Sequence, residues 1–296
     1  MSRETEKVFK ELNKAMEEKE FENEEQAKKF MDEFITNYNM NLKTEKKLDS
    51  YDYLEKAENA VTIEETIKYA KKALKLDPYC LDAEYLIAQS EAENIDVLLI
   101  KMEKIIRKGE AQLKERRISM EEDAGSFYGL LGTRPYMRIR KGYLELLLEM
   151  GRFRMAIGEA EELLRLSEND NLGVRYSLMA LYCFFEEEGN ALNLFSRYEE
   201  ESAFMLLPLI ALYYKMGNVK KMRKYIKRLA NRNSDLQNAI EMMMDADQEE
   251  ALSNVANSEM YRPFSTEEVI LAFTEGSYLY IPMRYFLPKL YEEVVS

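Results

Sequence analysis

Histidine is absent from this 296-residue chain. Its absence removes the usual general base near neutral pH and the commonest protein ligand for metals, which argues against an enzyme. The two cysteines, Cys80 and Cys183, lie far apart and outside any C-x-x-C pattern, so neither a disulfide framework nor a zinc site is indicated. We therefore expect no catalytic residue, no metal and no cofactor, and two free thiols in a reducing compartment.

Glycine and proline are scarce, at 11 and 6 residues, and this scarcity disfavours turn-rich β architectures. Helix-forming residues such as Met, Leu, Ala, Glu and Lys dominate instead. No stretch approaches the roughly 20 apolar residues that span a bilayer, and residues 1–25 lack the apolar segment of a signal peptide. The sequence predicts an all-α, cytoplasmic protein that does not insert into membranes.

Acidic residues outnumber basic ones, and the net charge of −13 argues against nucleic acid as the partner. Lys215–Arg232 is the exception, because it is rich in Lys and Arg and holds no acid. Two interpretations stay open for it. It is either a patch for an acidic partner, nucleic acid or an anionic membrane, or a solvated outer helix facing the acidic runs Glu186–Glu188 and Glu199–Glu201.

The distribution of charged and apolar residues divides the chain into three segments. Residues 1–48 form a charged helical segment, residues 49–234 form paired helices, and residues 235–296 form a helical cap. Thr62 with Glu65 and Ser265 with Glu268 have the spacing of capping boxes, which mark helix starts. Pro78 should end the helix that begins after Thr62. A further pair of helices is expected at Asp82–Glu93 and Ile95–Lys108.

Three segments, starting at Met137, Leu172 and Ala203, align with the tetratricopeptide pattern, whose period is about 34 residues. Gly151 and Gly217 lie at the turns between the two helices of their units, where glycine adopts a left-handed conformation at low cost. One helix pair cannot bury its own apolar stripe, whereas a stack of pairs can. We expect a tetratricopeptide-like solenoid of antiparallel helix pairs.

The chain also resembles a known family. Its sequence is similar to bacterial tetratricopeptide-repeat proteins that resemble the suppressor-of-tumorigenicity-7 family, over roughly residues 25 to 296. The most specific string is Thr-Arg-Pro-Tyr-Met-Arg at 133–138, and the other matching segments are Leu76–Tyr85, Gly151-Arg152, Asn169–Asn171, Gly173–Tyr176 and Ser265–Phe273. This resemblance implies a helical-repeat fold with a binding role, and it implies no reaction.

In tetratricopeptide arrays the first helix of each pair lines a concave groove. Arg and Lys in such a groove can hold a carboxylate, and Tyr and Phe are rigid anchors. The alternative for Arg134 and Arg175 is that they bond carbonyls and carboxylates within the fold. The binding residues predicted for this groove are Arg134, Tyr136, Arg138, Lys141, Arg175, Tyr176, Phe204 and Tyr214.

The resulting hypothesis is a scaffold or adaptor that binds a protein or peptide and has no catalytic activity. Two alternatives stay open. The chain could be a ligand- or peptide-sensing regulator that acts through a partner, or a noncanonical enzyme that uses carboxylates or tyrosine.

Overall fold

A computed structural model describes residues 3–41, 48–245, 248–256 and 260–296. Within these ranges the chain forms 17 α-helices, two short 3-10 helices and one isolated β-bridge between Ser126 and Ser167, with no strand. The predicted all-α class is confirmed. Among the helices described, none is both long and apolar enough to cross a membrane.

The chain separates into two compact units. The first unit comprises Met1–Arg152 with Arg165–Asn171, and the second comprises Phe153–Leu164 with Leu172–Ser296. The predicted three-segment division stays a prediction. The helices of the first unit are α1 (Arg3–Glu17), α2 (Glu24–Asn41), α3 (Ser50–Glu58), α4 (Ile63–Leu76), α5 (Leu81–Glu91), α6 (Ile95–Glu115) and α7 (Arg134–Glu149).

Within the described ranges, ten further helices follow α7, and the last of them ends at Val295. Helix α8 belongs to the second unit as far as Leu164. These helices are α8 (Phe153–Leu166), α9 (Val174–Phe184), α10 (Glu188–Tyr198), α11 (Ala203–Lys215), α12 (Val219–Arg232), α13 (Leu236–Met244), α14 (Glu249–Ala256), α15 (Thr266–Glu275), α16 (Ser277–Tyr280) and α17 (Phe286–Val295).

Side-chain caps define where the helices of the first unit begin. Asp49 and Asp52 form a reciprocal capping box at the start of α3, with N–H···O distances of 3.0 and 2.8 Å. The hydroxyl of Thr62 accepts the backbone N–H of Glu65 at 3.2 Å and starts α4. Helix α4 ends at Leu76, two residues before Pro78, as the sequence predicts.

Small residues fill the core between α3, α4 and α5. Leu54 packs there with the alanines at 57, 70, 73 and 83, all of them buried. Alanine allows helix axes to approach closely, and each of these helices contacts its neighbours in the sequence. Sequential contacts continue from α5 to α6 and from α6 to α7.

A glycine inside α6 permits close contact with α7. A Cβ atom on Gly109 would lie 2.7 Å from Cδ2 of Tyr136, closer than carbon atoms approach. The Tyr136 ring therefore packs directly on the α6 backbone, and its exposed fraction is only 1%. This contact positions the first turn of α7.

Helix α11 forms the centre of the second unit. Every residue from Ala203 to Tyr213 is buried, and α9, α12 and α15 contact this helix. Met222, Ile226 and Leu229 form the buried stripe of α12, as their spacing predicts. A helix that is apolar on all sides requires neighbours on all sides, which these surrounding helices provide.

The two glycine turns have the predicted backbone conformation. Gly151 has φ +67° and Gly217 has φ +66°. The residue after each glycine donates its backbone N–H back to the preceding helix, from Arg152 to Leu147 at 2.8 Å and from Asn218 to Tyr213 at 2.9 Å. These bonds satisfy carbonyls at the ends of α7 and α11.

Candidate functional site

Two arginines in the first half of α7 bind a carboxylate on α1. The Nη1 atom of Arg138 lies 2.8 Å from Oε1 of Glu6, and Nη1 of Arg134 lies 3.7 Å from the same oxygen. Glu6 is only 5% exposed, so its charge requires these partners. Both arginines were predicted for the groove, and in the structure they hold the first helix of the chain.

Arg138 also forms a two-point ion pair with α5. Its Nε and Nη2 atoms donate to the two carboxylate oxygens of Asp82, at 3.0 and 2.8 Å. A bidentate arginine–carboxylate pair fixes the orientation of the guanidinium group. Asp82 thereby aligns Arg138 toward Glu6.

A second set of charges holds α1 against α3. Lys7 lies 2.9 Å from Asp49 and 2.5 Å from Asp52. Burial lowers the pKa of Lys7, but its hydrogen bonds to Asp52 and Asp49 outweigh burial and raise it overall. Burial likewise opposes ionisation of Asp52, and the hydrogen bond from Lys7 lowers its pKa overall. We call Asp49, Asp52, Asp82, Arg134 and Arg138 the α1-binding face.

The other two predicted residues of α7 have different surroundings. Tyr136 is buried, and its hydroxyl donates to Glu110 at 3.4 Å. Lys141 pairs with Glu145 one turn further on, at 2.8 Å.

Arg134 also donates from Nε to the carbonyl of Tyr128 at 2.9 Å. The interpretation of Arg134 as a residue that bonds carbonyls and carboxylates within the fold thus describes its contacts.

Three of the predicted residues of the second unit, Arg175, Tyr176 and Phe204, lie in one polar and aromatic cluster. Arg175 Nη2 lies 2.7 Å from Glu200 Oε2, and the Tyr176 hydroxyl donates to the other oxygen of Glu200 at 2.8 Å. Burial, together with the hydrogen bond to Glu200, raises the pKa of Tyr176. The Tyr176 and Phe204 rings lie 4.8 Å apart, and Tyr214 contacts Phe286 at 5.3 Å. These side chains are partnered within the second unit.

The basic helix α12 faces the acidic runs that precede α10 and α11. Arg228 and Arg232 both bind Glu201, at 2.6 and 2.7 Å, and Lys221 binds Glu188 at 2.5 Å. Hydrogen bonds from Arg232 and Arg228 lower the pKa of Glu201. The interpretation of this segment as an outer helix facing the acidic runs therefore matches its contacts.

Sequence reasoning missed a cleft in the first unit, with a cavity of about 190 Å³. Leu54, Leu81, Leu131 and Pro135 provide apolar walls, and Gln112 also lines the cavity. The remaining lining residues are Lys10, Ser50, Tyr51, Asp77, Tyr79, Cys80, Asp82, Arg116 and Gly132.

The surroundings of Tyr51 in the cleft keep its phenol neutral. Burial, followed by the charges of Glu6, Cys80 and Asp82, raises the pKa of Tyr51 to about 12, so its phenol stays protonated. In the part of the chain that the structure describes, no group of three or more His, Cys, Asp or Glu residues could hold a metal ion.

One sequence signal could have indicated this cleft. Gln112 and Arg116 are four residues apart and therefore share a helix face if α6 reaches that far. The sequence predicts the end of this helix at Lys108, before both residues, whereas the structure extends it to Glu115.

Compared with known proteins, the chain matches no protein-family model and no curated protein sequence.

Proposed function

We propose that this protein is a tetratricopeptide-like solenoid of antiparallel helix pairs, similar to the suppressor-of-tumorigenicity-7 family, that binds another protein in the cytoplasm and catalyses no reaction. Two observations support the repeat architecture. Several consecutive helices contact each other, among them α3 with α4, α4 with α5, α9 with α10 and α11 with α12, and the glycine turns at Gly151 and Gly217 have the conformation that links two helices.

The observation that carries the binding role is the way in which α1 is held. Glu6 and Lys7 of α1 reach opposite charges on α7 and α3, and Leu12 is its most fully buried apolar side chain. Leu12 is the one fully buried apolar side chain among the described side chains of α1, and Val8 and Met16 are half-buried, so α1 gains less from apolar burial than a central helix such as α11 does. A partner helix with the same pattern can therefore displace it.

The partner that fits the α1-binding face is an amphipathic helix. It carries a carboxylate to meet Arg138 and Arg134, a cation at the next residue to meet Asp52, and a leucine six residues after the carboxylate. The α1-binding face thus selects its partner by charge. A helix with a cation in place of this carboxylate would be repelled by the two arginines.

A synthetic peptide of residues 3–17, labelled with a fluorophore, tests this function by fluorescence anisotropy. In the native chain, α1 belongs to the same molecule and competes with the free peptide for this face, so the peptide binds weakly. The variant Glu6→Lys weakens its own α1, and we expect the peptide to bind it about tenfold more tightly or better. Adding Arg138→Glu should abolish that gain.

Glu20→Lys is the matched control, because it makes the same charge change at an exposed position beyond α1. Equal peptide affinity in the native chain, Glu6→Lys and Glu20→Lys would refute displacement of α1. If the peptide results support displacement, the same variants serve as bait in cell lysate. Partners are the proteins that Glu6→Lys captures and that Glu6→Lys/Arg138→Glu does not.

The cleft favours a second candidate function, that of a ligand-sensing regulator acting through a partner. Lys10 belongs to α1 and lines the cleft, so a ligand there contacts the same helix that covers the α1-binding face. A ligand that binds only the arrangement with α1 in place stabilises that arrangement.

A further inference from the structure

The cleft contains a buried amide without a full set of hydrogen bonds. Gln112 is 6% exposed, and its Nε2 atom has no hydrogen-bond partner among the described residues. A buried donor left unpaired costs about 1–3 kcal/mol. Gln112 lines the cavity, and a half-turn of its amide group presents the Nε2 donor there, where an acceptor oxygen on a ligand removes this cost.

Arg116 supplies positive charge beside the same cavity. It follows Gln112 by one helical turn, and its Nη1 atom donates a weak hydrogen bond of 3.4 Å to the carbonyl of Gly132. In the described ranges, no carboxylate lies within ion-pair distance of its guanidinium group. Its remaining N–H groups can donate to an anion at the cavity.

Lys10 is the second cation at the rim. It lies 4.0 Å from Asp77 and 5.0 Å from the centre of the Tyr51 ring. The other lining carboxylate, Asp82, is bound at both oxygens by Arg138. Among the charged residues that line the cleft, Arg116 is thus the one without an opposite charge close by. An anionic group on a ligand would form an ion pair with its guanidinium group.

The cavity volume limits the size of the ligand. A cavity of about 150 Å³ with aliphatic walls holds benzene. This cavity has about 190 Å³ and walls formed by Leu54, Leu81 and Leu131. Its volume therefore accommodates one ring or one branched chain together with a small polar head.

We propose that this cleft is a binding site for a small amphipathic carboxylic acid. One carboxylate oxygen accepts from the Gln112 amide, the other accepts from Arg116, and the apolar body lies against the three leucines. This site goes beyond protein binding, because its ligand is a small molecule and its contacts do not include Glu6 or Arg138.

Isothermal titration calorimetry on the full chain tests the proposal with two matched pairs of probes. These are phenylacetate with phenylacetamide, and 4-methylpentanoate with 4-methylpentanamide. Each amide has nearly the same shape as its acid but lacks the charge. We expect the acids to bind at least about tenfold more tightly than the amides, as loss of a charged hydrogen bond implies.

Two substitutions locate the binding. Arg116→Gln removes the charge, Gln112→Leu replaces the amide with an apolar side chain of similar size, and each should weaken binding of the acids about tenfold. Gln112→Leu also removes an unpaired buried donor, so the fold should tolerate it. Arg107→Gln is the control, since Arg107 is an exposed residue of α6 that does not line the cleft, and it should leave affinity unchanged.

Three results would overturn the proposal. The first is equal affinity for an acid and its amide, and the second is acid binding that neither cleft substitution weakens. The third is no binding of any probe at a concentration of about 10 mM, which exceeds the Kd of weak specific binding. Tighter binding of the tripeptide Gly-Gly-Leu than of both acids, by about tenfold, would overturn assignment to a free acid. The peptide assay varies Glu6 and Arg138, whereas the calorimetry varies Arg116 and Gln112, so either proposal can fail alone.

Discussion

The two units use charged side chains in different ways. In the second unit, Arg175, Arg228 and Arg232 each bind a glutamate, and these pairs surround a central helix whose residues are almost all buried. In the first unit, charges hold a helix that contributes little apolar surface, and the cleft retains an unpaired amide beside Arg116. Paired charges around an apolar core support structure, whereas groups with unused hydrogen-bonding capacity indicate binding.

The largest expected effect compares the cores of the two units. Ile210→Ala in α11 should lower the free energy of unfolding by about 2–5 kcal/mol, because Ile210 is fully buried and its removal leaves a cavity. Leu12→Ala should change the main unfolding transition by about 1 kcal/mol or less, because the proposed displacement of α1 implies that this helix opens before the rest of its unit unfolds. Urea unfolding followed by circular dichroism gives both values, and equal losses would contradict the contrast between the units.

A second prediction concerns the pH dependence of α1 docking. Interaction with Lys7 lowers the pKa of Asp52, so its stabilising effect is present above the ordinary value of 3.8 and is lost as pH falls through the lowered value. The pKa of Lys7 is raised, so its contribution is present below 10.5 and is lost as pH rises through the raised value.

Asp52→Asn should therefore lower the unfolding free energy by about 1 kcal/mol at neutral pH, and this difference should shrink toward pH 2, as pH falls through the lowered pKa of Asp52 and both chains come to carry a neutral side chain. Urea unfolding of the native chain and the variant at both pH values measures this difference. Asp235→Asn in the second unit serves as control for a carboxylate paired only loosely, at 3.6 Å from Arg262. A difference that persists unchanged at low pH would contradict the role of the Asp52 charge.

The smallest expected effect tests an exposed pair of the second unit. Arg232 is 58% exposed, and Glu201 retains Arg228 when Arg232 is replaced. Arg232→Gln should change the unfolding free energy by no more than about 0.5 kcal/mol, because solvent screens exposed pairs. A loss of about 2 kcal/mol, measured by urea unfolding, would mean that α12 depends on its charges more than on its buried stripe.

Local signals in the sequence predicted the helices well. Thr62 and Ser265 cap helices at the predicted positions, and both glycine turns have positive φ. These features depend on residues within one turn of each other, so the sequence pattern reports them directly. The end of α6 was predicted at Lys108, and Gly109 illustrates why this was wrong. A glycine usually disfavours helix, but here the contact with Tyr136 requires it inside the helix.

The candidate site was less accessible to sequence reasoning. The repeat register assigned Arg138 and Tyr136 to one surface. It contained no information about where α1 docks or about how far α6 extends along the chain. Glu6 lies far from Arg138 in the sequence, and an ion pair of this kind has no local pattern. The cleft likewise draws its walls from α3, α5, α6 and the start of α7.

The sequence by itself determined that the chain is helical, where its helices begin, and which faces are apolar, because short-range hydrogen bonding and the helical period govern these properties. Only the tertiary structure decided which charged residues bind each other and which polar group stays unpaired. Those outcomes depend on the distances between residues that are remote in the chain, and burial then makes each unpaired group costly enough to matter.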